Sequence, residues 1–237
     1  MSFRTAYGNT HSENGWRMVN RDECALIQGL AFMDTAPVRK GWAFEALSAF
    51  AHWYDQNVPG EIVSATWGWS NTNDVSTSNH LSGTALDINA PQYPWGGDRM
   101  AREFPARVAA IRRGLTEFEG IIFWGADWSR KDEMHFQLNS GTAKGDGASD
   151  RLIDFVRRRI VDGQLKGSVG KTALDAAKVN AFTQVFMGPI GSDTKDVREQ
   201  LCGIGSRDAG EYDGWGQLGN RTVTDGLGAV LDRVVNR

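Results

Sequence analysis

The chain has 237 residues, 41% of them hydrophobic and 23% charged, with a formal net charge of -3. That length supports one well-buried core plus an appendage. The mild acidic balance argues against nucleic acid as a partner, and no apolar run approaches the roughly 18 residues needed to cross a membrane.

Taken in order, Met1-Ser2-Phe3-Arg4-Thr5-Ala6-Tyr7 contains no apolar signal core, so the expectation is a protein made and kept in a cytoplasm until something else releases it. His11 sits in a polar leader and is expected to be solvated. Residues 21 to 33 open with Asp22 and Glu23, acids that suit a helix N-terminus, and predict a helix. Cys24 and Cys202 have no C-x-x-C partner and read as two reduced thiols rather than metal ligands. Residues 41 to 57 predict a strong helix, with Ala43, Ala46, Leu47, Phe50, Trp53 and Tyr54 on one stripe. His52 lies on or beside that stripe and reads as structural. Pro59-Gly60 ends the helix, and the β-branched run Glu61 to Trp67 predicts a strand. Gly68 to Thr77 is a polar loop.

Thr84-Ala85-Leu86-Asp87-Ile88-Asn89 is an imperfectly alternating strand pattern. Pro91-Gln92-Tyr93-Pro94-Trp95-Gly96-Gly97 is a rigid aromatic loop. Its rings are candidates for stacking on substrate or for a lid packed on the core. Phe104, Val108, Ile111, Leu115 and Phe118 step as an amphipathic helix, and Ile121 to Trp124 reads as a buried strand. Glu133 to Leu138 alternates cleanly: Met134, Phe136 and Leu138 share one face, and Glu133, His135 and Gln137 the other. After Leu138 comes a Gly/Ser-rich linker. A basic amphipathic helix over 149 to 163 follows, whose Arg157-Arg158-Arg159 run reads as a solvated face or a contact for an anionic partner. Short helices are expected over 196 to 201 and 222 to 231. The resulting class is α+β: a small antiparallel sheet with helices packed on one face.

Two of the four His in the chain fall in the stretches Ser78-Asn79-His80-Leu81-Ser82-Gly83-Thr84-Ala85-Leu86-Asp87 and Asp132-Glu133-Met134-His135-Phe136. Gly83 permits a sharp turn that folds His80 back over Asp87. Two imidazoles and a carboxylate suit a catalytic zinc that keeps one position open, and a neighbouring carboxylate can serve as the proton carrier. Asp132 and Glu133 are the two candidates for that role; strand alternation favours Glu133.

The pattern S-x-H-x-x-G-x-A-x-D, followed by an acid shortly before His-Phe, resembles the M15 zinc peptidases. These include D-Ala-D-Ala carboxypeptidases and the L-alanyl-D-glutamate endopeptidases of phage endolysins. Trp124-Gly125-Ala126-Asp127-Trp128 resembles the W-G-G-D-W stretch of the endolysin branch, and the wider context is most similar to lysin A peptidase modules of actinobacterial phages. The likeness covers roughly residues 15 to 140. It implies a DD-peptidase-like, hedgehog-like zinc fold and one Zn2+ per chain on His80, Asp87 and His135. Asp132, three residues before the second His, becomes the catalytic acid, with Glu133 as the alternative. Ser78 matches the family's serine before the first ligand and is implied to orient the site; with Trp128, and with Tyr93 of the aromatic loop, it makes up the candidate substrate contacts. Members of the family often carry a cation before the first motif. Residues 61 to 80 contain neither Arg nor Lys, which leaves Arg39 or Lys40 as candidate oxyanion helpers.

The expectation is therefore a zinc peptidase domain over residues 1–140, a linker and basic helix over 141–180, and a small helical tail over 181–237. The tail is expected to target the wall or dock a partner, either wall polymer or a second lysin chain. The resemblance implies hydrolysis of the peptidoglycan stem peptide at the L-Ala–D-Glu or D-isoGln bond, in host lysis after the membrane is opened. Its alternatives are a D-Ala-D-Ala carboxypeptidase and a zinc-stabilised wall-binding module without catalysis.

Overall fold

A computed structural model describes residues 4–167, together with positions 199, 201, 217, 220–223 and 227. The chain divides into two compact units, Met1–Lys171 and Thr172–Arg237. The helices expected over 196–201 and 222–231 lie, isolated positions aside, outside the described residues.

Residues 21 to 33 do not form the expected helix. A single 3-10 turn at Arg21–Glu23 is followed at once by β1 (Cys24–Leu26), which pairs antiparallel with β2 (Pro37–Arg39). The acids of that turn serve it locally: the Glu23 side chain accepts from the Asn20 amide and closes a capping box. The helix α1 (Trp42–Asn57) forms where the apolar stripe predicted it. It begins after Gly41 and stops where the Val58 amide reaches back to the Tyr54 carbonyl, just before Pro59.

The strand expected over 61–67 is absent. Only Trp67 pairs, in an isolated bridge to Asp87, because Asn89 takes the amides of Val63 and Ser64 on its side-chain oxygen. Then come β3 (Ala85–Asp87), α2 (Arg99–Glu103), α3 (Pro105–Glu117), β4 (Ile122–Trp124) and β5 (His135–Leu138). β5 is the centre of a three-stranded antiparallel sheet in the order β3-β5-β4. Its register sets Asp87 opposite His135 and Leu86 opposite Phe136. Directly opposed residues point to the same face. One face of the sheet therefore carries the polar pair, and the other meets α1.

The core is built on that second face. Phe50 of α1 lies 5.0 Å from Phe136 and 5.3 Å from Phe118, ring centre to ring centre, and Trp124 stacks on Phe136 at 5.8 Å. All four rings are at most 1% exposed, and burial of each contributes about 1.5–3 kcal/mol.

The stretch 139–147, expected as a flexible linker, instead runs into the hairpin β6 (Ala143–Lys144) and β7 (Gly147–Ala148). It leads into α4 (Asp150–Arg159), capped by the Ser149 side chain, which accepts from the Leu152 amide. Leu152, Phe155 and Val156 join the main core, so this helix packs with the peptidase fold rather than apart from it. The Arg run is structural: Arg158 and Arg159 pair with Glu119, and Arg157 lies over Trp42. A last hairpin, β8 (Ile160–Val161) and β9 (Gln164–Leu165), follows. Among the described residues no helix is long and apolar enough to cross a membrane.

Candidate active site

The polar face of the sheet opens into a cleft of about 710 Å3. Its floor is assembled by three local devices. The β3–β5 register delivers Asp87 and His135 side by side. The turn at Ser82–Gly83 brings His80 over them; Gly83 adopts φ +68°, and a Cβ there would sit 2.9 Å from the Arg39 amide. The loop after β4 is pulled under the site by Gly125, where a Cβ would stand 2.7 Å from the Asp132 carbonyl and 3.1 Å from the His135 Cβ. Alanine in the second position of Trp124-Gly125 would push Asp132 out of place.

His80 Nε2 lies 3.2 Å from His135 Nδ1 and 3.2 Å from Asp87 Oδ1, and His135 Nδ1 lies 2.9 Å from Asp87 Oδ1. Three donors bound tetrahedrally to zinc at about 2.0–2.1 Å stand roughly 3.3 Å apart. The donor set and its spacing therefore fit one zinc ion, and the three residues form a single divalent-metal site. The outer ring nitrogens fix which nitrogen is free to bind. His80 Nδ1–H donates to the Gly68 carbonyl at 2.7 Å, leaving Nε2 as the ligand. His135 Nε2–H donates to Gln137 Oε1 at 2.9 Å, leaving Nδ1. Gln137 Oε1 also accepts from Asn79 Nδ2, which donates in turn to Glu13.

Electrostatics follow the geometry. Burial alone would lower the His80 pKa, but the charge and hydrogen bond of Asp87 override it and raise it. Burial alone would raise Asp87, yet His80 and His135 hold it well below the usual carboxylate range. Asp132 goes the other way: burial, then the neighbouring Asp87 charge, pushes it up to about 6.

The two adjacent carboxylates separate here. Asp132 lines the cleft beside the triad, and its Oδ1 is buried with no hydrogen-bond partner among the described residues. Glu133 turns away: its oxygens accept from the amides of Met100 at 2.6 Å and Ala101 at 2.8 Å, filling the N-terminus of α2. Strand alternation, which favoured Glu133, fails because β5 starts only at His135 and residues 132–134 form the turn before it.

Ser78 and Trp128 line the cleft; the Trp128 ring centre is 5.0 Å from that of His135. Tyr93 does not. It is buried in the core with its hydroxyl accepting from Arg107, so the stacking role suggested for it is corrected. Trp95, from the same loop, is one of the exposed rings of the cleft, with Tyr7 and Trp67. Arg39 and Lys40 are engaged elsewhere: Arg39 donates to the carbonyls of Arg17 and Asp146, and Lys40 to that of Asp22. The basic residue that lines the cleft is Arg130. His52 is half-buried beside Gly29, Cys24 is buried with its thiol pushed up to about 12, and neither reaches the site. Sequence reasoning placed Gln137 on the His135 face without giving it a role. It gave no signal for Gly68, Asn79 or Glu13, which act only through folded contacts.

Residues 70–138 match the M15 peptidase family model described as D-alanyl-D-alanine carboxypeptidase. This segment is an M15-type zinc metallopeptidase module. Its boundaries enclose His80, Asp87, His135 and Asp132, while Gly68, which accepts from His80, lies just outside them. Residues 158–236 match a second family model, described as the Rv3766 C-terminal domain. No curated protein and no solved structure matches the chain.

Proposed function

We propose that the M15 module hydrolyses a peptide bond in the D-amino-acid-containing stem of peptidoglycan, releasing terminal D-alanine. The observation that carries the hydrolytic reading is Asp132: a buried carboxylate with one oxygen unpartnered among the described residues, beside a metal triad, at the floor of an open cleft. A site that served folding alone would need neither an open cleft nor a spare base. That argues against a wall-binding module without catalysis. The description attached to the matching family supports D-alanine as the leaving residue.

Zinc, when bound, supplies a Lewis acid that lowers the pKa of water toward neutrality and polarises the carbonyl under attack. The chain's own residues do the rest. His80, Asp87 and His135 hold the ion with ring orientations fixed by Gly68 and Gln137. Asp132 takes the proton of the attacking water and passes it to the leaving amine. Trp128, tilted over His135, flanks the metal site on one side.

A second reading, cleavage of the L-Ala–D-Glu or D-isoGln bond in phage-driven host lysis, is supported by the Trp124-Gly125-Ala126-Asp127-Trp128 stretch. In that reading residues 181–237 would address the wall or a partner chain. Digestion of peptidoglycan with and without a zinc chelator, read by mass spectrometry, decides. Chelator-sensitive release of free D-alanine is the expected result. New D-Glu or D-isoGln amino termini would replace it with the endopeptidase, and no cleavage at all would overturn both.

A further inference from the structure

We infer that Arg130, laid on the face of Trp95, is the specificity-determining contact for a substrate carboxylate. The inference rests on the stem-peptide reading above and names which group of the stem the cleft selects.

Among the described residues, the acids that line the cleft are Glu13, Asp74, Asp87 and Asp132, and the one Lys or Arg is Arg130. Apart from the metal site, that guanidinium is the lining side chain that offers a substrate carboxylate an opposite charge. Arg130 has no other evident employment: among the described residues it makes no ion pair and no hydrogen bond, although it is exposed. It is nonetheless held. Its Cζ lies 3.6 Å above the Trp95 ring, and the Gly96 amide donates to the Lys131 carbonyl at 2.8 Å, so the aromatic turn and the arginine loop are tied together.

The geometry suits a carboxylate in particular. Stacking occupies the face of the guanidinium and leaves its in-plane N–H donors free, the fork that matches a carboxylate with two parallel bonds. An arginine fixed in advance loses less rotamer freedom when it binds. Trp95, itself 43% exposed, is then a positioning residue that acts through Arg130. Only Lys131 separates Arg130 from Asp132, which places the carboxylate contact close to the bond being cut. Two groups of a stem peptide have this chemistry: the terminal carboxylate of D-alanine and the free α-carboxylate of a γ-linked D-glutamate.

The test uses the full chain, zinc-loaded, with Asp132→Asn to stop turnover, and measures binding by calorimetry. The probes are a stem peptide ending in D-Ala-D-Ala as free acid or C-terminal amide, and stems carrying D-Glu or D-isoGln. With Arg130 present, loss of the recognised carboxylate is expected to weaken binding about 10- to 100-fold, the scale of a charge-assisted hydrogen bond. Arg130→Ala should abolish that discrimination while leaving zinc content and melting temperature unchanged; Arg130→Lys should restore part of it. In the active protein Trp95→Ala should raise KM with little change in kcat. Discrimination at the terminal acid supports the D-alanine source, and discrimination at D-Glu supports the other. If the stems bind but Arg130→Ala keeps the full preference, the inference is overturned and the peptidase reading stands. If no stem peptide binds, the stem-peptide reading itself falls and the inference falls with it.

Discussion

On the floor of the cleft His80, Asp87 and His135 are 6%, 8% and 5% exposed, while Trp67 and Trp95 on its walls are 45% and 43% exposed. Both ring nitrogens of each floor histidine are held, in front by the other histidine or Asp87 and behind by Gly68 or Gln137. The walls are loops whose rings and single arginine face outward. The difference separates two tasks. Groups that hold an ion must stand within tenths of an ångström of the right geometry, which only buried, mutually bonded side chains maintain. Groups that grip a substrate must remain reachable, so they sit on loops tied to the frame at a few points.

Replacing floor residues should break the site outright. His80→Ala, Asp87→Ala or His135→Ala is expected to lose bound zinc, read by elemental analysis, together with all hydrolysis. A His80→Ala protein that retained full activity would sink the mechanism. Asp132→Asn comes next. It should keep its zinc and lose about 10^2–10^4-fold in kcat, the usual contribution of a general base. Loss of zinc in that variant would place Asp132 among the ligands instead. Gln137→Leu sharpens the comparison from behind the floor. It removes the acceptor of the His135 Nε2–H, and a competition titration should find zinc bound about 10- to 100-fold more weakly.

The floor was legible in the sequence because its spacing is local: Gly83 lets His80 meet Asp87 within one turn and strand, and alternation set His135 opposite Phe136's face. The helices α1 and α3 were legible for the same reason, since one stripe of apolar side chains defines each. The walls were not. Tyr93 and Trp95 are two residues apart in one loop, and nothing in their order says that Arg107 draws one into the core while Arg130 holds the other at the surface. Residues 61–67 look like a strand because they are β-branched, but Asn89 takes their amides first. The same holds for residues 21–33, where Cys24–Leu26 pair with Pro37–Arg39 instead of continuing the turn. In each case a contact distant in sequence outweighed a local preference.

Asp132 and Glu133 offer a smaller and cleaner test, because one peptide bond separates a chemical role from a structural one. Glu133→Gln leaves the α2 amides with a single acceptor and sets an amide N–H against them. A cost of about 1–3 kcal/mol is expected, which for a domain of this size lowers Tm by about 2–4 °C per kcal/mol. At temperatures where the variant is folded, kcat should match the parent. A drop in kcat comparable to that of Asp132→Asn would return Glu133 to the chemistry.

The smallest expected effect is on stability as pH changes, and its sign distinguishes protein with and without zinc. Asp132 titrates near 6 in the fold against 3.8 for an ordinary aspartate, so between those values the folded chain holds more protons than the unfolded one. Stability then falls as pH rises through that window. His80, also raised, adds to the fall above its ordinary value of 6.5, as its proton is lost. Asp87, lowered, acts oppositely but only below about pH 4, where the unfolded carboxylate takes up its proton first. Chelator-treated protein should therefore lose a few degrees of Tm between pH 4.5 and 7.5 (an order-of-magnitude expectation from linkage). Zinc binding requires the His80 ligand nitrogen to be unprotonated, so zinc tightens across the same range and the loaded protein should gain Tm instead. Melting curves that run parallel in the two samples would mean that His80 and Asp132 do not respond to the ion, and the floor would have to be assigned differently.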